Sequence, residues 1–89
     1  MNLRQLEVFY AVMKTGTVSG AAKQLFVSQP NVTRVLSHTE QQLGFALFER
    51  VKGSLIPTRE ANLLLPEAEK VYQKLGQFRK QTNKQKPGQ

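Results

Sequence analysis

The sequence has no cysteine, no tryptophan and no aspartate, and its only histidine is His38. Without cysteine there is no disulfide framework and no thiolate chemistry. One histidine and scattered glutamates do not provide the ligand spacing of a metal site or the grouping of an active site. The N-terminus lacks the apolar run of a signal peptide, and no stretch approaches a membrane span. We therefore expect a non-enzymatic protein without metal or cofactor, with the cytosol as its simplest location.

Basic residues outnumber acidic ones, thirteen to six, for a formal net charge of +7 over 89 residues. Four of the bases lie in the last eleven residues, where there is no acid, and residues 1–78 carry a net charge of only +3. A positive charge favours an anionic partner, but so small an excess matters only if the bases are clustered. The length and the hydrophobic content of 39% predict one domain with a small core.

The stretch around which the chain is organised runs from Val27 to Gly44. Ser28 is a good helix N-cap, Pro30 suits a first turn, and Gly44 is typical of the position just past a helix end. At about 100° per residue the predicted helix has two faces. The apolar face contains Val32, Val35, Leu36, Thr39 and Leu43. The polar face contains Pro30, Thr33, Arg34, Ser37 and Gln41, with Gln29 and His38 on the flanks.

The polar face presents short hydrogen-bonding side chains around one arginine, with no acid at its centre. A helix that lies in a DNA major groove needs these features, because base edges offer donors and acceptors at close range. The alternative is an ordinary amphipathic helix whose polar face only meets water.

Two shorter helices are predicted before this one. Asn2 and Gln5 form a capping-box pattern, and Gly16 ends the first helix. Ser19 is the expected cap of a second helix over residues 20–26, and Val27 and Ser28 form the turn into the third. This order predicts a helix-turn-helix, although the usual turn glycine is missing. The first helix has an apolar stripe that we expect to pack in the core, formed by Leu3, Leu6, Phe9, Tyr10 and Met13. The second has a small-residue face of Ala21, Ala22 and Leu25 that permits close approach to a neighbouring helix.

Residues 45–51 and 54–58 are compatible with two short strands, joined at Lys52 and Gly53. Two strands alone are marginally stable, so the hairpin is expected to pack on the helices through Leu47, Phe48 and Leu55. A hairpin that follows a DNA-reading helix is a wing, whose tip residues Arg50 and Lys52 reach phosphate or a minor groove. The alternative for these two residues is a solvated, charged loop.

Thr58 is the expected cap of a long last helix, and Pro66 inside it is expected to cause a bend. The helix has apolar residues at heptad spacing, which predicts pairing with a partner helix. We expect a DNA-binding domain over residues 1–58, a linker or dimerisation helix over 59–82, and a disordered basic tail or fragment end over 83–89. The predicted dimerisation residues are Ala61, Leu64, Leu65, Ala68, Val71, Tyr72, Leu75 and Phe78.

Residues 9–50 carry a set of motifs that resembles the N-terminal DNA-binding region of the LysR-type bacterial transcriptional regulators. The resemblance covers roughly residues 3–74. The most specific matches are Ala21-Ala22 with Leu25, Ser28-Gln29-Pro30, Arg34, Glu40, Leu43-Gly44 and Leu47-Phe48-Glu49-Arg50.

The resemblance implies a mainly α winged helix-turn-helix, with three helices and a small β-hairpin, followed by a long helix that pairs in a homodimer. It implies double-stranded DNA as the partner, with a small-molecule effector bound only by a further domain outside this chain. Within this family pattern, Gln29, Pro30, Thr33 and Arg34 match DNA-contacting positions of the recognition helix. Arg50 matches the wing arginine, and Ser19 and Ser28 match positions near phosphate.

The sequence departs from the family pattern at three places. Thr33 stands where serine is common, which keeps a hydroxyl; Ala61 stands where glycine is common at the entry to the linker helix. The family wing is often longer and richer in arginine. The wing sequence over residues 51–58 has no arginine and resembles the branch that contains LysR itself, which limits the comparison beyond Arg50.

Two other binding functions compete with DNA reading. A protein-binding module would need large apolar anchors around Arg34, and the predicted outward face has none. A module for single-stranded RNA would need exposed aromatic side chains for stacking, whereas most aromatics here fall on predicted core faces. The sequence therefore favours sequence-specific binding of duplex DNA by a dimer, on a dyad-symmetric site.

Overall fold

A computed structural model describes residues 1–84 and contains four helices and one two-stranded sheet. This is the predicted winged helix-turn-helix with a long final helix. No helix within residues 1–84 combines the length and the hydropathy of a membrane span. The predicted tail begins two residues too early, since residues 83 and 84 are helical; its remainder, 85–89, lies outside the described residues. The elements are α1 (Leu3–Thr15), α2 (Val18–Leu25), α3 (Gln29–Leu43), β1 (Phe48–Val51), β2 (Ser54–Pro57) and α4 (Arg59–Lys84).

The ends of α1 and α3 are set by the residues predicted to cap them. The Asn2 side chain accepts a hydrogen bond from the Gln5 backbone N–H, and the Gln5 side chain accepts one from the Asn2 N–H, each at 2.8 Å. Ser28 Oγ accepts from the Asn31 N–H at 3.2 Å. Gly16 and Gly44 end the two helices in the left-handed conformation, with φ of 78° and 82°.

The predicted start of α2 is wrong by two residues. Thr17, not Ser19, is the N-cap: its backbone is extended, and its Oγ1 accepts from the Gly20 N–H at 2.9 Å. Ser19 therefore lies in the first turn of α2. Gly20 is required where α1 meets α2, because a Cβ there would lie 2.8 Å from Thr15 Cβ and 2.9 Å from Thr17 Oγ1.

The missing turn glycine is replaced by Phe26, which ends α2 with a φ of 58°. Its N–H bonds to Lys23 O at 3.3 Å, and the Val27 N–H bonds to Ala22 O at 3.0 Å. These two bonds form a Schellman ending, which usually has glycine or asparagine at the left-handed position. The Phe26 side chain is 94% exposed, so the helix ends here without burying the ring.

Helix α1 lies between two hydrophobic clusters rather than packing along one stripe. Val8, Ala11 and Val12 pack with α2, α3 and β2. Leu6 and Phe9 pack with Leu47 and with the first half of α4. Leu3 belongs to neither cluster and is 47% exposed. The expectation that it lies in the core is therefore wrong.

Helix α4 packs against α1 in an antiparallel sense. Tyr10 stacks on Tyr72 with ring centroids 4.3 Å apart, and Lys14 Nζ lies 3.4 Å from Glu69 Oε1. The Tyr10 side chain, whose ring centroid lies 5.1 Å from Lys14 Nζ, and after it the Glu69 carboxylate raise the pKa of the Lys14 ammonium group. These contacts fix the direction in which α4 leaves the domain.

Two of the predicted dimerisation residues, Ala61 and Ala68, are buried within their own chain, at 0% and 6% exposure. They pack on Leu6, Phe9 and Leu47. The expectation that they face a partner helix is therefore wrong, because α1 already covers this side of α4.

The hairpin is shorter than predicted at both ends. β1 starts at Phe48, because the Leu47 and Phe48 N–H groups bond to the Glu40 carboxylate of α3. β2 stops at Pro57, because the Thr58 side chain instead accepts from the Ala61 N–H at 3.2 Å and caps α4, as predicted. Lys52 and Gly53 form the turn with φ of 49° and 82°, the positive values that a tight two-residue hairpin loop favours.

Candidate nucleic-acid interface

Helix α3 has the two faces predicted from its sequence. Val32, Leu36 and Thr39 are buried. Arg34 is exposed at the centre of the outward face. The other outward residues are Pro30, Ser37 and Gln41, which are exposed, and Thr33, which is half-buried.

A surface groove of about 480 Å³ joins α3 to the wing. It brings together five of the predicted DNA-binding residues, although Arg50 is distant in sequence from the others. Val18, at the start of α2, also lines the groove and was not predicted as part of the site. The lining residues are Val18, Gln29, Pro30, Thr33, Arg34 and Arg50.

The strand register explains why Arg50 faces this groove. Arg50 pairs with Leu55, so the two side chains lie on the same face of the hairpin, and Leu55 is buried in the core. Glu49 pairs with Ile56 on the opposite face. Alternation along the strand therefore turns the arginine toward α3 and the neighbouring acid away from it.

Backbone N–H groups of the wing donate the hydrogen bonds that join it to the helices. Glu40 Oε2 accepts from the Leu47 N–H at 2.6 Å and from the Phe48 N–H at 3.2 Å. The Leu55 N–H donates to Gly16 O at 3.0 Å, at the end of α1. These bonds fix the spacing between α3 and Arg50. In the sequence Glu40 was noted only as part of the family motif, and its contact with the wing was not predicted. The feature that could have indicated this role is that Glu40 is the only acid in α3.

The remaining predicted DNA-binding residues are less closely associated with the groove. Lys52 is exposed at the wing tip and does not line the groove. Ser28 is exposed but already caps α3, and Ser19 is half-buried in α2. Ser37 lines a smaller cleft beside Arg50 and Glu40.

A second groove, of about 250 Å³, lies on the other side of α3, against α1. Arg34 lines both grooves. Arg4 was not predicted as part of the site, because α1 was interpreted only as a core helix. His38 was predicted on the flank of the polar face of α3 but not as a DNA-binding residue. No acidic side chain lines either groove. The second groove is lined by Asn2, Arg4, Gln5, Arg34, Val35 and His38.

A separate apolar groove of about 480 Å³ lies between the start of α1 and α4. Of the predicted dimerisation residues, Leu64, Ala68 and Val71 line it; Ala68 is buried at its floor, and Val71 is 51% exposed. Leu65, Tyr72 and Leu75 are half-buried, and Phe78 is 69% exposed. Met1 and Leu3 extend the exposed apolar surface, at 53% and 47% exposure.

An outward polar face on the second helix of a helix-turn-helix, with an arginine-bearing wing beside it, defines a winged helix-turn-helix of the DNA-binding class. Among residues 1–84 no cluster of acidic or histidine side chains could hold a metal ion. Residues 3–62 match the model of the bacterial regulatory helix-turn-helix proteins, lysR family. The chain belongs to this family.

Two curated relatives and one solved structure illustrate the match. The chain is 60% identical over 75 residues to the HTH-type transcriptional regulator DgcR of Pseudoalteromonas sp, covering 84% of this chain and 26% of DgcR. It is 48% identical over 79 residues to the HTH-type transcriptional regulator AdmX of Serratia plymuthica, covering 89% of this chain and 26% of AdmX. The chain thus spans about a quarter of the length of these relatives.

The crystal structure of the CbnR_DBD–DNA complex superposes with a TM-score of 0.81 at 34% identity, over 93% of this chain and 95% of that one.

Proposed function

We propose that this chain binds duplex DNA sequence-specifically, with α3 in the major groove and the wing on the backbone or in a minor groove. The observation that carries the proposal is the groove in which Arg34 of α3 and Arg50 of the wing lie together without an acid. The similarity to CbnR_DBD, whose structure is a DNA complex, supports it.

Within this interface α3 supplies the base-reading groups. The Arg34 guanidinium offers the planar fork that matches guanine O6 and N7. Gln29, Thr33 and Ser37 offer shorter hydrogen-bonding groups on the same face, and Pro30 contributes an apolar contact. Arg50 and Lys52 of the wing, with Ser19 and Ser28, meet phosphate or a minor groove, where little base code is available.

The functional unit is a homodimer formed through α4. The apolar groove around Leu64 and Val71 supports this proposal, because it leaves large apolar side chains exposed beside the start of α1. Leu65, Tyr72, Leu75 and Phe78 belong to the same helix and contribute to the contact. A two-fold axis then places two recognition helices on half-sites about one helical turn apart.

The chain acts as the DNA-binding part of a transcriptional regulator and not as an enzyme. Residues 1–58 form the DNA-binding domain, and α4 is the linker. The location of the chain is the bacterial cytoplasm, because a regulator of transcription must reach the chromosome. If a small-molecule effector controls it, the effector binds a domain outside this chain.

Selection of bound sequences from random duplexes tests the proposal. We expect enrichment of a dyad-symmetric site, with half-sites separated by about one helical turn. Recovery of no preferred sequence would contradict specific reading by α3, and recovery of a single half-site would contradict the dimer.

A further inference from the structure

Arg4, at the start of α1, is held against the first turn of α3. Its Nη2 atom donates to Asn31 Oδ1 at 3.4 Å, across 27 residues of sequence. Arg4 is exposed, and the remaining guanidinium N–H groups are free to bind other acceptors. The contact with Asn31 therefore orients the Arg4 side chain beside the recognition helix. Because asparagine is neutral, the contact does not neutralise the guanidinium charge.

The two flanks of α3 differ in which element lies beside them. At about 100° per residue, Thr33 and Ser37 fall on one side of Arg34, while Asn31 and His38 fall on the other. The wing lies against the first flank, where Arg50 lines the groove. Helix α1 lies against the second, where Arg4 and His38 line a groove with Arg34.

A helix in the major groove has a phosphate backbone on each side of it, since the groove is only about 12 Å wide. Arg50 can serve one backbone. The groove between α1 and this flank of α3 is lined by Arg4 and His38 and by no acid, which suits the other backbone. Guanidinium groups bind phosphate in a bidentate manner, which suits Arg4 to this contact.

We propose that Arg4, positioned by Asn31, binds a phosphate of the DNA strand opposite the one that Arg50 contacts. This inference rests on the proposed function. It assigns to the start of α1 a role in anchoring DNA, in addition to its packing role. Asn31 is the positioning residue of this contact and need not touch DNA itself.

The test is a salt titration of the affinity for a selected site and for a scrambled duplex. Arg4→Ala should weaken binding to both by similar factors and reduce the slope of log K against log salt by about one unit. Arg4→Lys should restore most of the slope, because a phosphate accepts a point charge. Lys74→Ala, which removes a charge from an exposed position on α4, is the matched control and should leave the slope unchanged.

Two further measurements separate anchoring from folding and assign the strand. Asn31→Ala should weaken binding in the wild-type background but have no further effect when Arg4 is already alanine. Methylphosphonate substitution neutralises single phosphates of the DNA, and each phosphate that binds an arginine should weaken wild-type binding when it is neutralised. With Arg4→Ala, neutralising the phosphate that Arg4 contacts should have no further effect. With Arg50→Ala, the phosphate whose neutralisation has no further effect should lie on the other strand of the same half-site.

An unchanged salt slope in Arg4→Ala, together with a reduced slope in Arg50→Ala, would overturn this inference and leave the proposed function intact. The inference would also be overturned if the phosphates whose neutralisation no longer matters in Arg4→Ala and in Arg50→Ala lay on the same DNA strand. A wild-type chain with no salt-dependent binding to any duplex would overturn the proposed function and this inference together.

Discussion

The Glu40 Oε2 atom of α3 lies 2.6 Å from the backbone nitrogen of Leu47, at the entry to the wing. The same oxygen accepts from the Phe48 N–H at 3.2 Å. One carboxylate thus joins the recognition helix to the strand that carries Arg50. The distance between the two arginine-bearing elements is set by this contact and by the burial of Leu47 and Leu55.

Replacing Glu40 with alanine should therefore loosen the wing. Two N–H groups would lose a charged acceptor, and hydrogen bonds to charged groups contribute about 1.5–3 kcal/mol. We expect Glu40→Ala to lower the free energy of unfolding by about that amount in urea titrations. Glu40→Gln keeps an acceptor and should lose less, and Gln41→Ala, exposed at the next position, should be neutral. Equal stability of all three variants would contradict this role.

The left-handed conformation of Phe26 predicts a stabilising substitution. A non-glycine residue in this conformation costs roughly 1–2 kcal/mol, and asparagine tolerates it better than phenylalanine. Because the ring is almost fully exposed, little packing is lost. Phe26→Asn should raise the melting temperature by a few degrees, about 4–8 °C for each kcal/mol in a domain of this size. A lower melting temperature would show that the ring makes stabilising contacts in solution.

The burial of Ala22 predicts sensitivity to added volume. Ala22 is 4% exposed in the cluster that α1, α2 and α3 share. Ala22→Leu should overpack this cluster and cost about 1–3 kcal/mol in a denaturant titration. Gln24→Leu adds a similar side chain to an exposed position of α2 and serves as the control. If both substitutions were equally tolerated, α2 would not pack as described.

Val71 provides a test of the dimer that leaves the monomer's core intact. It is half-exposed and lines the apolar groove with Leu64, so Val71→Glu should spare folding but place a charge in the proposed interface. Sedimentation should show the wild type associating and the variant as a monomer that binds the full site more weakly. A wild type that is already monomeric at high micromolar concentration would contradict dimerisation of this chain.

Sequence patterns predicted the elements that have local signals. The caps at Asn2, Ser28 and Thr58 and the stops at Gly16 and Gly44 act within a few residues, so the ends of α1 and α3 and the start of α4 were predicted correctly. The start of α2 was missed because Thr17 and Ser19 are both good caps. Only the backbone conformation distinguishes them.

Tertiary contacts explain the other differences. A heptad pattern shows that one face of α4 is apolar but not what covers it, and α1 covers Ala61 and Ala68. In the same way, the packing of α1 between two clusters could not be deduced from its single apolar stripe. Arg4 was missed for a related reason: its position beside Asn31 depends on how α1 and α3 cross.

In the proposed interface α3 reads bases while the wing anchors the backbone, and substitution of the two arginines tests this division of roles most directly. The measurement is a salt titration of Arg34→Ala and Arg50→Ala on a selected site and on a scrambled duplex. Arg34→Ala should cost roughly 1–3 kcal/mol on the selected site and much less on the scrambled one. Arg50→Ala should weaken both duplexes similarly and reduce the salt slope by about one unit. Equal losses on both duplexes for Arg34→Ala would contradict base reading by this residue and make it a phosphate anchor.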